Sequence, residues 1–212
     1  MRRSVTESSV YEALTMIIDV IFVGLIWFVV SLPVITIGPA STALYYSVSK
    51  CIRRGRGRIG VTFFSSFKSN FKQGTVIWMI YMAYVALGIA DYCALRMLGV
   101  PDASLLGNLS KLFFLPAVLT LPWVFAFLSR FENTVKGTLK FVGYLTLRHI
   151  GRTLLLTALL VGCAVIAWLM PPIAWLLPAV CCLAMSYVIE PVFKAQTENK
   201  EEDNNADPWY NE

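Results

Sequence analysis

Five long apolar runs, a high hydrophobic content and basic residues gathered into alternate loops predict an all-α fold. It is a polytopic transmembrane helical bundle with five clear spans, a short or re-entrant helix after the first, and cytoplasmic amphipathic helices. Of 212 residues, 57% are hydrophobic and the mean hydropathy is +0.65, more apolar surface than a soluble domain of this length can hide. The runs are Met16–Ile37, Gly74–Leu98, Leu112–Leu128, Thr153–Met170 and Ile173–Ile189. A helix rising about 1.5 Å per residue needs roughly 20 residues to cross about 30 Å of hydrocarbon, and each run approaches that length. Helices are favoured because hydrocarbon offers no water to unpaired backbone groups, and the two-residue alternation of a membrane β-barrel is absent.

The first run follows Met1-Arg2-Arg3 and ends at Ser31-Leu32-Pro33-Val34 without a small-residue cleavage site, so it reads as a retained helix rather than a secretory signal. Gly38-Pro39 breaks it, and a second, mostly apolar helix starts at Ala40 and runs to Lys50. At about 15 residues this piece reaches only some 22 Å, so it is short, tilted or re-entrant.

Loop charge sets the expected orientation. Lys50, Arg53, Arg54, Arg56, Arg58, Lys68 and Lys72 lie between the first two clear spans, and Arg130, Lys136, Lys140, Arg148 and Arg152 between the third and fourth. Positive-inside bias puts loops 50–73 and 129–152 and the carboxyl terminus in the cytoplasm, with Gly99–Lys111 and Pro171-Pro172 outside. Five crossings would leave Arg2 and Arg3 outside, against the rule, whereas a returning helix over residues 38–52 keeps both termini inside.

Both cytoplasmic segments are amphipathic. In Val61–Gln73 the helical period puts Phe63, Phe64, Phe67 and Phe71 on one face and Lys68, Ser69 and Lys72 opposite, as expected of a helix lying in the headgroup plane or of a docking surface. Arg130–His149 likewise aligns Phe131, Val135, Leu139 and Val142, with Glu132 and Lys136 as an i, i+4 pair. Asn70–Thr75 (NFKQGT) echoes Asn133–Thr138 (NTVKGT), a hint of duplication. Candidate cytoplasmic contact residues are Phe67, Lys68, Asn70, Lys72, Arg130, Glu132, Asn133, Arg148 and His149.

Ionisable groups in spans are costly, about 2.5–3.5 kcal/mol each at the bilayer centre on insertion scales. Asp19 falls two turns into the first helix and is the best candidate for a functional group; Asp91 lies near the outer end of its span. With Thr36 they form the candidate intramembrane polar set. Glu190, followed by Pro191, reads as a cytoplasmic helix end.

The remaining chemistry is sparse. His149 is the only histidine, there is no HExxH and no GxxxxGK[ST] loop, and the five cysteines form no CxxC pair. The sequence therefore predicts no enzyme, catalytic residue, metal site or cofactor. The net charge of +5 sits in short loops beside apolar runs, a membrane pattern rather than a nucleic-acid-binding face. Prolines 33, 39, 116, 122, 171, 172, 178 and 191 bound or interrupt the runs, and broken helices of this kind form solute sites in some transporters. Residues 1–195 read as one transmembrane domain and 196–212 as a disordered acidic cytoplasmic tail.

Several blocks in order, Leu32–Ala40 with Thr42–Tyr46, Phe63–Gly74, Arg130–Asn133 and Leu147–His149, resemble the YesL-like family of bacterial integral membrane proteins, a domain of unknown function numbered 624. The resemblance covers about residues 10–195. It implies a multi-pass protein of the bacterial cell membrane, often encoded near carbohydrate-uptake systems, and brings no activity or catalytic residue. The expected function is an accessory or regulatory component associated with carbohydrate uptake, its partners being the bilayer and a sugar transporter or sensor component; the alternative is a small-solute transporter or channel with a polar intramembrane cavity lined by Asp19 and Thr36.

Overall fold

A computed structural model describes the backbone of residues 3–102, 104–131 and 133–201, and side chains between residues 14 and 196 within those limits. The described residues form helices and turns, with no strand. Four helices are long and apolar enough to cross a membrane: Ile59–Met97, Leu105–Leu128, Ile150–Leu169 and Leu177–Gln196.

The first helix, α1 (Arg3–Val30), stops earlier than its apolar run, which continues to Ile37. The cause is Pro33. It lacks an N–H and disfavours helical backbone at Leu32 before it, so the chain turns tightly through Val34–Thr36. Thr36 Oγ1 donates to the carbonyls of Val30 and Pro33, both at 2.6 Å, and Trp78 Nε1 donates to that of Val34 at 2.7 Å, satisfying groups that the break exposes. Gly38 and Pro39, expected to be the break, instead lie in the first turn of α2 (Ile37–Ser47), where proline removes no helical hydrogen bond. A wide turn with an i to i+5 hydrogen bond follows over Val48–Ile52.

α3 (Ile59–Met97) is one unbroken helix of 39 residues, about 58 Å long at 1.5 Å per residue. This corrects the expectation of a separate helix lying flat before the second span. No glycine-proline or loop signal interrupts Val61–Gly74, so the amphipathic stretch simply forms the first turns of the same rod. Nor do its four phenylalanines share a fate: Phe63 is buried, Phe67 half-buried, and Phe64 and Phe71 are exposed. The face turned inward is centred on Phe63, Gly74, Ile77 and Tyr81, and successive 100° steps leave Phe64 and Phe71 on its flank.

The third expected run, Leu112–Leu128, is α5 (Leu115–Leu128), and the apolar helical stretch starts earlier, since α4 (Leu105–Leu112) forms within the segment expected to be an outer loop. Ser104 caps α4 by accepting from Gly107 N at 3.1 Å, and Pro116 occupies the first turn of α5. α6 (Val135–Arg148), capped by Thr134, packs its apolar side inward: Val142 and Leu145 are fully buried, with Val135 and Leu139 packed against them. α7 (Ile150–Leu169) is peripheral, only 11% of its apolar window being buried, whereas 44% of that in α8 (Leu177–Glu201) is buried. Pro191 lies inside α8, so the helix continues past Glu190 and carries the chain to Glu201; the rest of the expected acidic tail lies outside the described residues.

Two apolar clusters result. One joins α1, α2 and the start of α3 around Val23, Leu44, Val48 and Phe63; the other joins α5 to α8 with α3 around Trp123, Phe127, Leu145 and Phe193. Outward faces carry Leu25, Met79, Leu87, Leu154 and Trp168, the pattern expected where lipid replaces water.

The most extensive helix pair is α2 with α3, and it closes on two glycines. A Cβ on Gly38 would fall 2.6 Å from Trp78 Cβ, and one on Gly74 would fall 2.9 Å from Pro39 Cα. Small residues let the backbones touch, which is how helices gain dispersion contact where no hydrophobic force acts between them. Gly74→Val should therefore lower the thermal unfolding midpoint in detergent, at a cost of about 1–3 kcal/mol. Gly162→Ala, in α7 with nothing within 4 Å, should be neutral or stabilise by up to about 1 kcal/mol in the same assay.

Candidate functional site

The basic loops and the carboxyl-terminal half of α8 converge on one carboxylate. Glu190 is 4% exposed and accepts from Arg54 Nη2 at 2.5 Å, from Arg130 Nη2 and Nε at 2.9 and 3.2 Å, and from the Tyr45 hydroxyl at 3.3 Å. Arg130 is itself buried, its side chain 5% exposed, while that of Arg54 is 22% exposed. Burial and the nearby Arg130 charge lower the Arg54 guanidinium from its ordinary value, against the pull of Glu190. Arg53 reaches the same stretch of α8, donating to the Ser186 carbonyl at 2.8 Å and lying over the Tyr187 ring. The neighbouring Pro191 removes the N–H that would have bonded the Tyr187 carbonyl, so α8 lacks one backbone hydrogen bond at this point.

Local structure explains how the arginines arrive. The wide turn at Val48–Ile52 inserts extra backbone at the end of α2, placing Tyr45 on one side of it and Arg53 and Arg54 on the other. Arg130 follows directly on α5. Its guanidinium lies over the Tyr46 ring, 5.4 Å from the centroid, and Lys50 Nζ approaches the same ring and donates to its hydroxyl at 3.2 Å.

Beside this ion-pair hub opens a polar cleft of about 660 Å³, lined by Tyr46, Ser65, Ser66, Ser69, Asn70 and Gln73 on α2 and α3, and by Leu128, Ser129, Arg130, Phe131 and Asn133 from the end of α5 and its following turn. The two echoing hexapeptides meet here. Gln73 Nε2 donates to the Asn133 carbonyl at 2.7 Å and to Thr138 Oγ1 at 3.2 Å, tying α3 to the start of α6. Their settings differ, since Gly74 sits inside α3 and Gly137 in the capped first turn of α6, so the echo marks a contact and no repeated fold unit.

Of the contact residues expected from sequence, Asn70, Arg130 and Asn133 line the cleft. Phe67 stacks on Phe63, meets Phe71 edge-on and packs on the α1–α2 cluster; Lys68 and Lys72 are exposed on α3. Arg148 is exposed and bonds the Tyr144 hydroxyl, and His149 is half-buried between α6 and α7, with its ring 6.5 Å from that of Trp123. Glu132 lies outside the described residues.

The intramembrane set does not come together. Asp19 is half-buried in α1 and forms no ion pair or hydrogen bond among the described residues; Thr36, beyond the far end of α1, serves the chain break. Asp91 is exposed and accepts from Ser110 Oγ at 2.6 Å, while Arg96 pairs with Asp102 at 2.6 Å. A second cavity of about 300 Å³, between Trp27, Trp78, Phe125 and Cys181, is almost wholly apolar, and neither Asp19 nor Thr36 lines it. All five cysteines are free, and the described residues hold no cluster of three or more metal-ligating side chains.

Sequence reasoning missed Glu190, reading Pro191 as the stop of a helix that passes through it. The available signal was its isolation: one carboxylate in an apolar run, facing two loops rich in arginine.

Glu190→Gln should destabilise the detergent-solubilised protein by about 3–5 kcal/mol because it leaves Arg130 buried beside a neutral amide. Arg54→Gln, at a more exposed and screened position, should cost clearly less, and thermal unfolding of the two variants checks the order. Burial first, then the Arg152 and Arg148 charges, lower the His149 imidazole below its ordinary 6.5. The unfolded chain then binds the proton more readily, so stability falls as pH drops below about 6.5 and down through the folded value, and His149→Gln removes that part of the pH dependence. Unfolding midpoints measured from pH 7.5 to 5 decide it.

No curated protein and no solved structure gives a match to the chain. A match does come from the family model described as "Protein of unknown function, DUF624", over residues 20–92. That segment runs from the middle of α1 through most of α3, so it includes the Gly38–Gly74 crossing and Tyr45, Arg53 and Arg54 of the hub, though neither Arg130 nor Glu190. Over this third of the chain the sequence is similar to that family, in agreement with the YesL-like resemblance of its motifs.

Proposed function

We propose that this is a multi-pass protein of the bacterial cell membrane that serves as an accessory or regulatory component of carbohydrate uptake, working through its basic end. The observation that supports this best is the ion-pair hub with its adjoining polar cleft, built from the same loops that positive-inside bias assigns to the cytoplasm. A buried charge cluster at that level fixes the relative positions of α2, α5 and α8 and holds a polar recess open beside them. The association with sugar uptake comes from the YesL-like resemblance.

The topology that goes with this reading has α1 and α2 as a re-entrant hairpin entering from the cytoplasmic face. In its support, the hairpin's turn packs on Gly74 and Trp78, near the middle of α3 and about 28 Å short of Met97 at 1.5 Å per residue. The four longer helices then cross, both termini lie inside, and loops 50–73 and 129–152 share the cytoplasmic side. α6 is packed on the bundle at that level, and Lys68 and Lys72 on the first turns of α3 are exposed to a partner such as a sugar transporter or sensor component. Nucleic acid is not a partner, and no catalysis is assigned.

The transporter reading draws less support, because the cavity among the spans is apolar and Asp19 and Thr36 lie apart from it. Reconstitution separates the two. An accessory protein gives no sugar flux in liposomes on its own, while deleting it lowers uptake by the cognate system in cells, and Lys68→Glu with Lys72→Glu reproduces the deletion. Flux through the isolated protein that Asp19→Asn abolishes would establish the transporter instead. Reporters placed at Arg56, Lys140 and the carboxyl terminus should map to one side, and one at Asp102 to the other.

A further inference from the structure

The cleft beside the hub has a lining that selects among ligands. Three carboxamides line it, and each uses one end on the protein. Asn70 Nδ2 donates to the Ser66 carbonyl at 3.1 Å and to nearby serine hydroxyls; Gln73 Nε2 donates to Asn133 and Thr138; Asn133 Oδ1 accepts from Thr134 N at 2.8 Å. The opposite ends, Asn70 Oδ1, Gln73 Oε1 and Asn133 Nδ2, make no hydrogen bond among the described residues. They leave two acceptors and a two-proton donor on planar groups whose orientation is already fixed. Ser65 adds a hydroxyl, and Tyr46 lines the cleft beside Arg130.

This mixture argues against an anion. A phosphate or carboxylate needs donors alone, and the two carboxamide oxygens would face it with their lone pairs. Arg130 is the charged residue among the described lining residues, and its guanidinium is already set against Glu190. Hydroxyl groups suit the lining better, because each is donor and acceptor at once and a pair on adjacent carbons can engage both kinds of group. The volume of about 660 Å³ lies within the roughly 300–1,000 Å³ of small-molecule sites.

We propose that the cleft binds a neutral polyhydroxylated molecule of mono- or disaccharide size. Carboxamides read its hydroxyls, beside Tyr46, whose ring is held by Arg130 and Lys50. The proposal deepens the uptake-associated reading and rests on it for its biological sense; its chemistry rests on the cleft alone. Sugar sensing at this position would couple directly to the hub, since Arg130 belongs to both and lies over the Tyr46 ring.

The test uses the full-length protein purified in a polyoxyethylene detergent, because detergents with sugar headgroups would compete. Glucose, maltose, inorganic phosphate and glycerol are titrated by calorimetry and by thermal shift. At least one of the two sugars should bind saturably with a Kd below about 1 mM, and phosphate and glycerol should not. Asn70→Ala should weaken binding roughly tenfold, the loss expected for one hydroxyl contact. Ser65→Phe, at an exposed position on α3, should fill the recess and abolish binding with the unfolding midpoint unchanged. Saturable binding of phosphate without sugar, no binding of either sugar, or sugar binding that both variants leave intact would each overturn the proposal. Its failure is separable from that of the accessory role, which is read by uptake in cells: a protein that binds no sugar can still support uptake, and one that binds sugar can fail to.

Discussion

Glu190 has to be charged, buried and satisfied at once, and the architecture at one end of the bundle follows from that requirement. A carboxylate removed from water loses hydration worth several kcal/mol, and only close partners of opposite charge with good geometry offset it. Arg130 at the end of α5, Arg54 beyond the wide turn after α2, and the Tyr45 hydroxyl supply those partners from sites 60, 136 and 145 residues away in sequence. Three elements are thereby held to α8 at one level. Because breaking such a cluster costs far more than the intact cluster contributes, it acts as a register pin more than as a source of net stability.

The opposite logic governs the α2–α3 crossing. No charge is involved there, only the absence of side chains at Gly38 and Gly74, which lets two backbones come into direct contact. Between them the two devices divide the work: close packing brings the α1–α2 hairpin against α3, and ion pairing fixes the far end of α2 against α5 and α8. The polar cleft is what remains between these two attachments, walled by α3 on one side and by the turn after α5 on the other. Gln73, spanning from α3 to Asn133 and Thr138, keeps its walls at a set distance.

Much of this could be read from the chain without coordinates, and the misses have identifiable causes. Helix was required wherever long apolar runs had to satisfy their own backbone, and α6 presents the side that its period predicted. Asn70, Arg130 and Asn133 were singled out by their neighbourhoods and do line one recess. The amphipathic start of α3 was misjudged because helical period reveals that a face exists but not whether the axis bends before the next run. Thr36 and Asp19 were grouped because both are polar in apolar surroundings, yet one serves the end of α1 and the other lies along its length.

What the sequence by itself determined is the solvent and the local conformation: apolar runs of membrane-crossing length, helical backbone along them, and basic residues kept to alternate loops. These depend on neighbours in the chain and on the cost of exposing backbone to hydrocarbon, both of which can be counted along a single strand of residues. The tertiary structure alone decided which carboxylate would be the hub, that Gly74 would meet Gly38, and that a cleft would open beside Arg130. Each of those is a meeting of residues far apart in sequence, and periodicity carries no information about which helix a given face will find.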